Sequence, residues 1–125
     1  MANLATLVTT WNYPTRIRFG VGTVREAGEA CRAAGITRPL VVTDPGLARL
    51  PLIDRVLEAL RGAGLHVAVF DGVRPNPTAA NVVAGIEILR RDGHDGVVAV
   101  GGGSALDVGK LVAFMAGQTR PIWDF

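Results

Sequence analysis

The sequence predicts an α/β protein: a three-layer, Rossmann-like parallel sheet with an N-terminal strand or hairpin. Two observations carry that prediction. Short apolar runs alternate with amphipathic helical stretches at intervals of roughly 25 to 30 residues, the rhythm of βαβ units. The last apolar run, Val97 to Val100, then passes directly into three glycines and a serine. Apolar runs without polar alternation suit strands covered on both faces, and right-handed crossovers place successive strands in one parallel sheet.

Residues 1 to 12 show no clear period. Thr15 to Phe19 alternates, with Ile17 and Phe19 on one side and Arg16 and Arg18 on the other, so a half-exposed strand is expected, ended by Gly20 and Gly22. Thr23 with Glu26 has the spacing of a capping box, opening a helix through about Ala34 that Gly35 closes. Pro39 to Thr43 is the next apolar strand, followed by Asp44 and a Pro45–Gly46 turn. From about Leu52 to Gly62, Ile53, Val56, Leu57 and Leu60 fall at helical spacing on one stripe. Leu65 to Phe70 is another strand, and Asp71 to Pro77 a loop with two prolines. Thr78 caps a helix to about Arg91 with Val82, Val83, Ile86 and Leu89 inward, and Asp92 and Gly93 stop it. Val97 to Val100 is a strand buried on both faces, and a final helix runs from Ser104 to about Ala116.

The junction Val97 to Lys110, VVAVGGGSALDVGK, is where chemistry is expected. Glycines there let the backbone approach a ligand closely, and exposed N–H groups at a helix N-terminus attract an anion. Ser104 is read as the helix cap and Asp107 as a carboxylate near the positive end of the dipole. The dinucleotide fingerprint GxGxxG fails at Leu106, and the P-loop pattern fails at Ser104 and Leu111. A ligand-free glycine turn is the competing explanation. Lys110 is the sole lysine in the chain; an ion pair with Asp107 at i, i+3 is the simpler account, a direct contact with the ligand the alternative.

Asp44, at the carboxyl end of its strand, can accept hydrogen bonds from both ribose hydroxyls of an adenosine and repel a 2′-phosphate, favouring NAD over NADP. It can equally begin the DPG turn. Asn76, between Pro75 and Pro77, has little backbone freedom. His66 and His94 lack partners at metal-ligand spacing, and we read both as structural.

At 125 residues, 49% hydrophobic, the chain suffices for one domain with its own core. A net charge of +2 and interspersed Arg and Asp/Glu leave no basic run, so no nucleic-acid surface is expected. Cys31 stands alone, which excludes an internal disulfide and points to a reducing, cytoplasmic setting. The N-terminus MANLATLVTTWNYPTR has no signal-peptide pattern, and no apolar run is long enough to cross a bilayer.

GGGSxxDxxK, together with FGVG at Phe19 to Gly22, VVTDPGL at Val41 to Leu47 and PNPT at Pro75 to Thr78, resembles the motif series of the iron-containing (group III) alcohol dehydrogenase family, in order and at similar spacing. The resemblance implies that Gly101, Gly102, Gly103 and Ser104 hold the diphosphate of NAD, that Asp44 contacts its ribose, that Asn76 borders its adenosine part, and that Asp107 lies towards the nicotinamide. It implies a hydride-transferring enzyme for a small alcohol or aldehyde; a homo-oligomer is a separate expectation. Its iron or zinc is held by one aspartate and three histidines of a helical second domain. In relatives those ligands lie downstream of the region matching Phe125. Residues 1 to 125 are therefore expected to be a truncated dinucleotide-binding domain without metal ligands or turnover of its own, and no catalytic residue is assigned. The ending PIWDF, with Trp123 and Phe125, fits a surface awaiting further chain or a partner. The alternatives are a non-catalytic nucleotide-binding or assembly module, and a relative such as a glycerol dehydrogenase or dehydroquinate synthase.

Overall fold

The computed structural model describes residues 14–125. The expected N-terminal hairpin and the unperiodic stretch over residues 1 to 12 therefore lie outside the described residues or at their margin. Three strands, β1 (Pro39–Val42), β2 (Ala68–Phe70) and β3 (Gly96–Ala99), form one parallel sheet in the order β2-β1-β3. β1 is central, pairing Leu40 with Ala68 on one side and with Val97 on the other. Every residue of β1 is buried, as an apolar run between two neighbours should be.

Four α-helices flank the sheet: α1 (Ala27–Ala33), α2 (Pro51–Gly62), α3 (Ala79–Arg91) and α4 (Gly103–Ala116). Alternation along β1 divides the core in two. Leu40 and Val42 join Phe70, Ile86, Leu89 and Val112 beneath α3 and α4. Val41 joins Cys31, Val56, Leu60 and Leu65 beneath α1 and α2. Helices on both faces make the three-layer Rossmann-like arrangement, each large apolar side chain contributing about 1.5–3 kcal/mol by burial.

Several local expectations do not hold. Thr15 to Phe19 forms no strand: it makes no ladder with β1, β2 or β3, and Phe19 is 98% exposed. Alternation records amphipathic character, but a strand also needs a partner. Thr23 and Glu26 form no capping box. The Thr23 hydroxyl donates to the Gly20 carbonyl at 3.0 Å, and Glu26 is taken by a two-pronged Arg18 fork at 2.8 and 2.9 Å. That fork holds the Glu26 carboxyl below its ordinary range. The chain therefore begins this region with a 3-10 turn, Thr23–Glu26.

β2 is shorter than Leu65 to Phe70 because its approach is tied elsewhere. Leu65 N–H donates to the Leu60 carbonyl and His66 N–H to the Thr37 carbonyl. Val83 is 44% exposed, because the stripe of α3 runs through Val82, Ile86 and Leu89, about 100° away around the helix. Val97 to Val100, expected to be covered on both faces, is only half-buried. β3 is an edge strand of the described sheet, so one side of its backbone has no neighbour.

Candidate functional site

The sheet order locates a crevice. From β1 the chain crosses to β2 on one side, then returns to β3 on the other, so the connections diverge between β1 and β3. In open α/β sheets, ligands bind outside the carboxyl ends of strands at such a switch point. Asp44 emerges there from β1 and Gly101 from β3.

The rim is held firmly. Thr43 is fully buried; its N–H donates to the Phe70 carbonyl at 2.9 Å and its carbonyl accepts from Val73 N–H at 3.4 Å. Val100 N–H donates to the Val42 carbonyl at 2.9 Å. Both strands are thus paired to their last residue, and Asp44 and Gly101 start as the ladder stops. Asp44 Oδ1 accepts from Leu47 N–H at 2.8 Å, so the DPG turn is real. Its second oxygen, Oδ2, faces the glycine loop: a Cβ added to Gly101 would lie 3.7 Å from it.

Gly101 has φ +147°, and an added Cβ would also sit 2.8 Å from Ala105 Cβ and 3.2 Å from Leu47 Cδ1. Only glycine fits. Above Gly102 and Gly103 there is open space, and both are exposed. Among the described residues, no backbone carbonyl accepts from the amides of Gly101, Gly102, Gly103 or Ser104. Free donors at the start of a 14-residue helix, beside a carboxylate oxygen that is not engaged by Leu47, form a surface able to take a diphosphate and a neighbouring hydroxyl.

Ser104 is not the cap. Gly102 is the N-cap and Ser104 the second helical residue, because the extended conformation required there falls on Gly102. Ser104 thereby offers its amide as well as its hydroxyl. Asp107 consequently falls in the second turn, exposed, with one oxygen 3.8 Å from Lys110 Nζ, so the ion pair forms and the helix-cap role does not. Asn76 stands at the same edge of the sheet, beyond β2, with φ +52°, the one positive φ outside glycine among the described residues.

The histidines lie at the opposite end. His94 Nδ1 is 3.0 Å from the Arg38 carbonyl, so that nitrogen carries its hydrogen, and His66 precedes β2. With Arg38, Arg61 and Asp92 they line an open cleft of about 460 Å³ at the amino ends of the strands. Among the described residues no group of three or more His, Cys, Asp or Glu is placed to hold a metal ion. Nor is any described helix long and apolar enough to cross a membrane.

Sequence reasoning missed Gly109, where an added Cβ would lie 2.7 Å from Ala99 Cβ. Its absence lets α4 press against β3 and fixes the direction in which the helix N-terminus points. It also missed Asn81, although its spacing of three after Thr78 was a readable signal.

A family model described as iron-containing alcohol dehydrogenase matches residues 14–125. The chain belongs to that family. It is 37% identical over 116 residues to the choline dehydrogenase of Bacillus subtilis, covering 93% of this chain and 29% of that protein. Among solved structures, NADH-dependent butanol dehydrogenase A of Thermotoga maritima superposes with a TM-score of 0.84 at 33% identity, over 94% of this chain and 30% of that one. Sulfoacetaldehyde reductase of Bifidobacterium kashiwanohense, solved with NAD+, gives a TM-score of 0.80 at 34% identity, over 94% of this chain and 31% of that one. The chain thus spans less than a third of the length of each of these iron-containing alcohol dehydrogenase relatives.

Proposed function

We propose that residues 14–125 are the nicotinamide-nucleotide-binding part of an NAD-dependent dehydrogenase that interconverts a small alcohol and its aldehyde. The observation that carries this reading is the crevice between β1 and β3, where Asp44 Oδ2 lies beside Gly101 and the four amides from Gly101 to Ser104 have no acceptor among the described residues. Those amides and the Ser104 hydroxyl bind the diphosphate. Asp44 Oδ2 accepts from a ribose hydroxyl while Oδ1 stays on Leu47 N–H, so the carboxylate is oriented before the ligand arrives. Its negative charge opposes a 2′-phosphate, which sets NAD above NADP. Asn76 borders the adenosine part, and Asp107, further along α4, lies towards the nicotinamide.

When bound, the cofactor supplies a hydride acceptor or donor. The chain's own contribution is to bind and orient it. The described residues do not fit a catalytic iron or zinc. The metal site, the proton transfers and substrate recognition belong to the part of the family fold that this chain does not span. The choline, butanol and sulfoacetaldehyde of the relatives' names support an alcohol or aldehyde substrate class and no single compound.

We place the protein in the cytoplasm, in keeping with one buried free thiol at Cys31. A homo-oligomer is the further reading, supported by large exposed apolar side chains such as Phe19 and Trp123.

Calorimetry on the 125-residue chain with ADP-ribose, NAD and NADP tests the proposal. ADP-ribose and NAD binding above NADP is expected, with no turnover when metal and alcohol are added. Binding of none of the three would favour a module that serves assembly instead.

A further inference from the structure

Between Arg74 and Thr78 the chain carries only three amide N–H groups, because Pro75 and Pro77 have none. Two of those three, from Arg74 and Thr78, donate to a single oxygen, Asn81 Oδ1, each at 3.4 Å. The third belongs to Asn76, which sits between them at φ +52°. A left-handed conformation costs little at asparagine compared with other residues that carry a Cβ, but a single loop geometry persists only where contacts hold it. Here those contacts have an identifiable source. The Asn81 carboxamide clips the chain on both sides of Asn76, and Asn81 is itself rigid because it belongs to the first turn of α3, in a capping box with Thr78.

We propose that Asn81 is a positioning residue for nucleotide binding. It holds the Pro75–Asn76–Pro77 segment in the conformation that presents Asn76 at the carboxyl edge of the sheet. This rests on the reading of Asn76 as a neighbour of the adenosine part of the cofactor. Asn81 itself touches no ligand. Its spacing from Thr78 serves the helix, and the additional bond from Arg74 N–H, which a capping box does not need, serves the loop.

The test is calorimetry on the full chain with ADP-ribose and with inorganic pyrophosphate, for the wild type, Asn81→Ala, Asn81→Asp, Asn76→Ala and the Asn76/Asn81 double alanine variant. Asn81→Ala should weaken ADP-ribose about three- to tenfold, the loss expected from one ordering contact of ordinary hydrogen-bond strength. It should leave pyrophosphate affinity unchanged, because the glycine loop is untouched. Asn81→Asp, which keeps an acceptor oxygen at that position, should restore ADP-ribose binding. The Asn76 and Asn81 effects should be non-additive, since one residue acts through the other. Without ligand, the Arg74 and Thr78 amides should exchange faster in Asn81→Ala. Wild-type-like ADP-ribose affinity in Asn81→Ala, or strict additivity, would overturn the inference while the proposed function stood. Failure of the wild type to bind ADP-ribose would remove both.

Discussion

The two ends of the β1/β3 strand pair each carry an aspartate, and the two aspartates are used differently. At the amino end, Asp95 is saturated. Its Oδ1 accepts from Arg38 N–H at 2.7 Å and Thr37 N–H at 3.1 Å, and its Oδ2 from the Thr37 hydroxyl at 2.6 Å and Thr37 N–H at 3.0 Å. At the carboxyl end, Asp44 spends Oδ1 on Leu47 N–H and turns Oδ2 towards a glycine loop whose amides have no acceptor among the described residues. A carboxylate whose lone pairs all go to its own chain ties strands together. A carboxylate with one oxygen left over, beside unspent donors, leaves capacity for a further partner.

The largest effect should come from blocking the open end. Gly101→Ala places a methyl group 2.8 Å from Ala105 Cβ at φ +147°, costing about 1–3 kcal/mol of strain and abolishing ADP-ribose binding. Thermal unfolding and calorimetry measure the two. Undiminished affinity would break the assignment of the loop.

Exchanging the aspartates sharpens the contrast. Asp95→Ala should lower stability by about 1–2 kcal/mol in denaturant titration and leave ADP-ribose affinity alone. Asp44→Ala should lose less stability, having one bond to Leu47 N–H to give up, but should weaken ADP-ribose and erase the preference for NAD over NADP. If both variants lose stability and neither loses affinity, the two ends are alike and the comparison fails.

Part of the acid limb of stability should belong to the amino end. Burial tends to raise the Asp95 carboxyl pKa, but hydrogen bonds from the Thr37 hydroxyl and from the Arg38 and Thr37 amides outweigh it, so the folded value lies below the ordinary one. A depressed carboxyl contributes stability that is complete above its unfolded pKa and lost as pH falls through the folded one. Asp95→Asn should therefore flatten that part of the stability profile, whereas Asp44→Asn affects binding. The smallest effect is expected at Lys110. Both it and Asp107 are exposed, so Lys110→Ala should change stability by less than about 0.5 kcal/mol and leave ADP-ribose affinity unaltered.

Much of this was legible in the sequence because local chemistry dictated it. The apolar runs of β1 and β3, the stripe of α2 and the glycine turn before α4 needed only period and glycine content. What sequence could not supply was adjacency. Strand order decides that Asp44 and Gly101 share a crevice and that Val97 to Val100 lies at an edge, and order is settled by non-local packing. The Thr23–Glu26 reading failed for a related reason: Arg18, from outside the capping pattern, captured the carboxylate that a capping box required, and Thr15–Phe19 makes no ladder with β1, β2 or β3. Asn81 escaped because its second bond reaches back to Arg74, seven residues away, beyond the span of a capping motif.

The most direct measurement is an amide NMR titration of the 125-residue chain with NAD. The resonances of Gly101, Gly102, Gly103 and Ser104 should shift first and furthest, while those of Thr37, Arg38 and Asp95 stay still. Shifts centred on the amino end, or none at the glycine loop up to millimolar NAD, would contradict it.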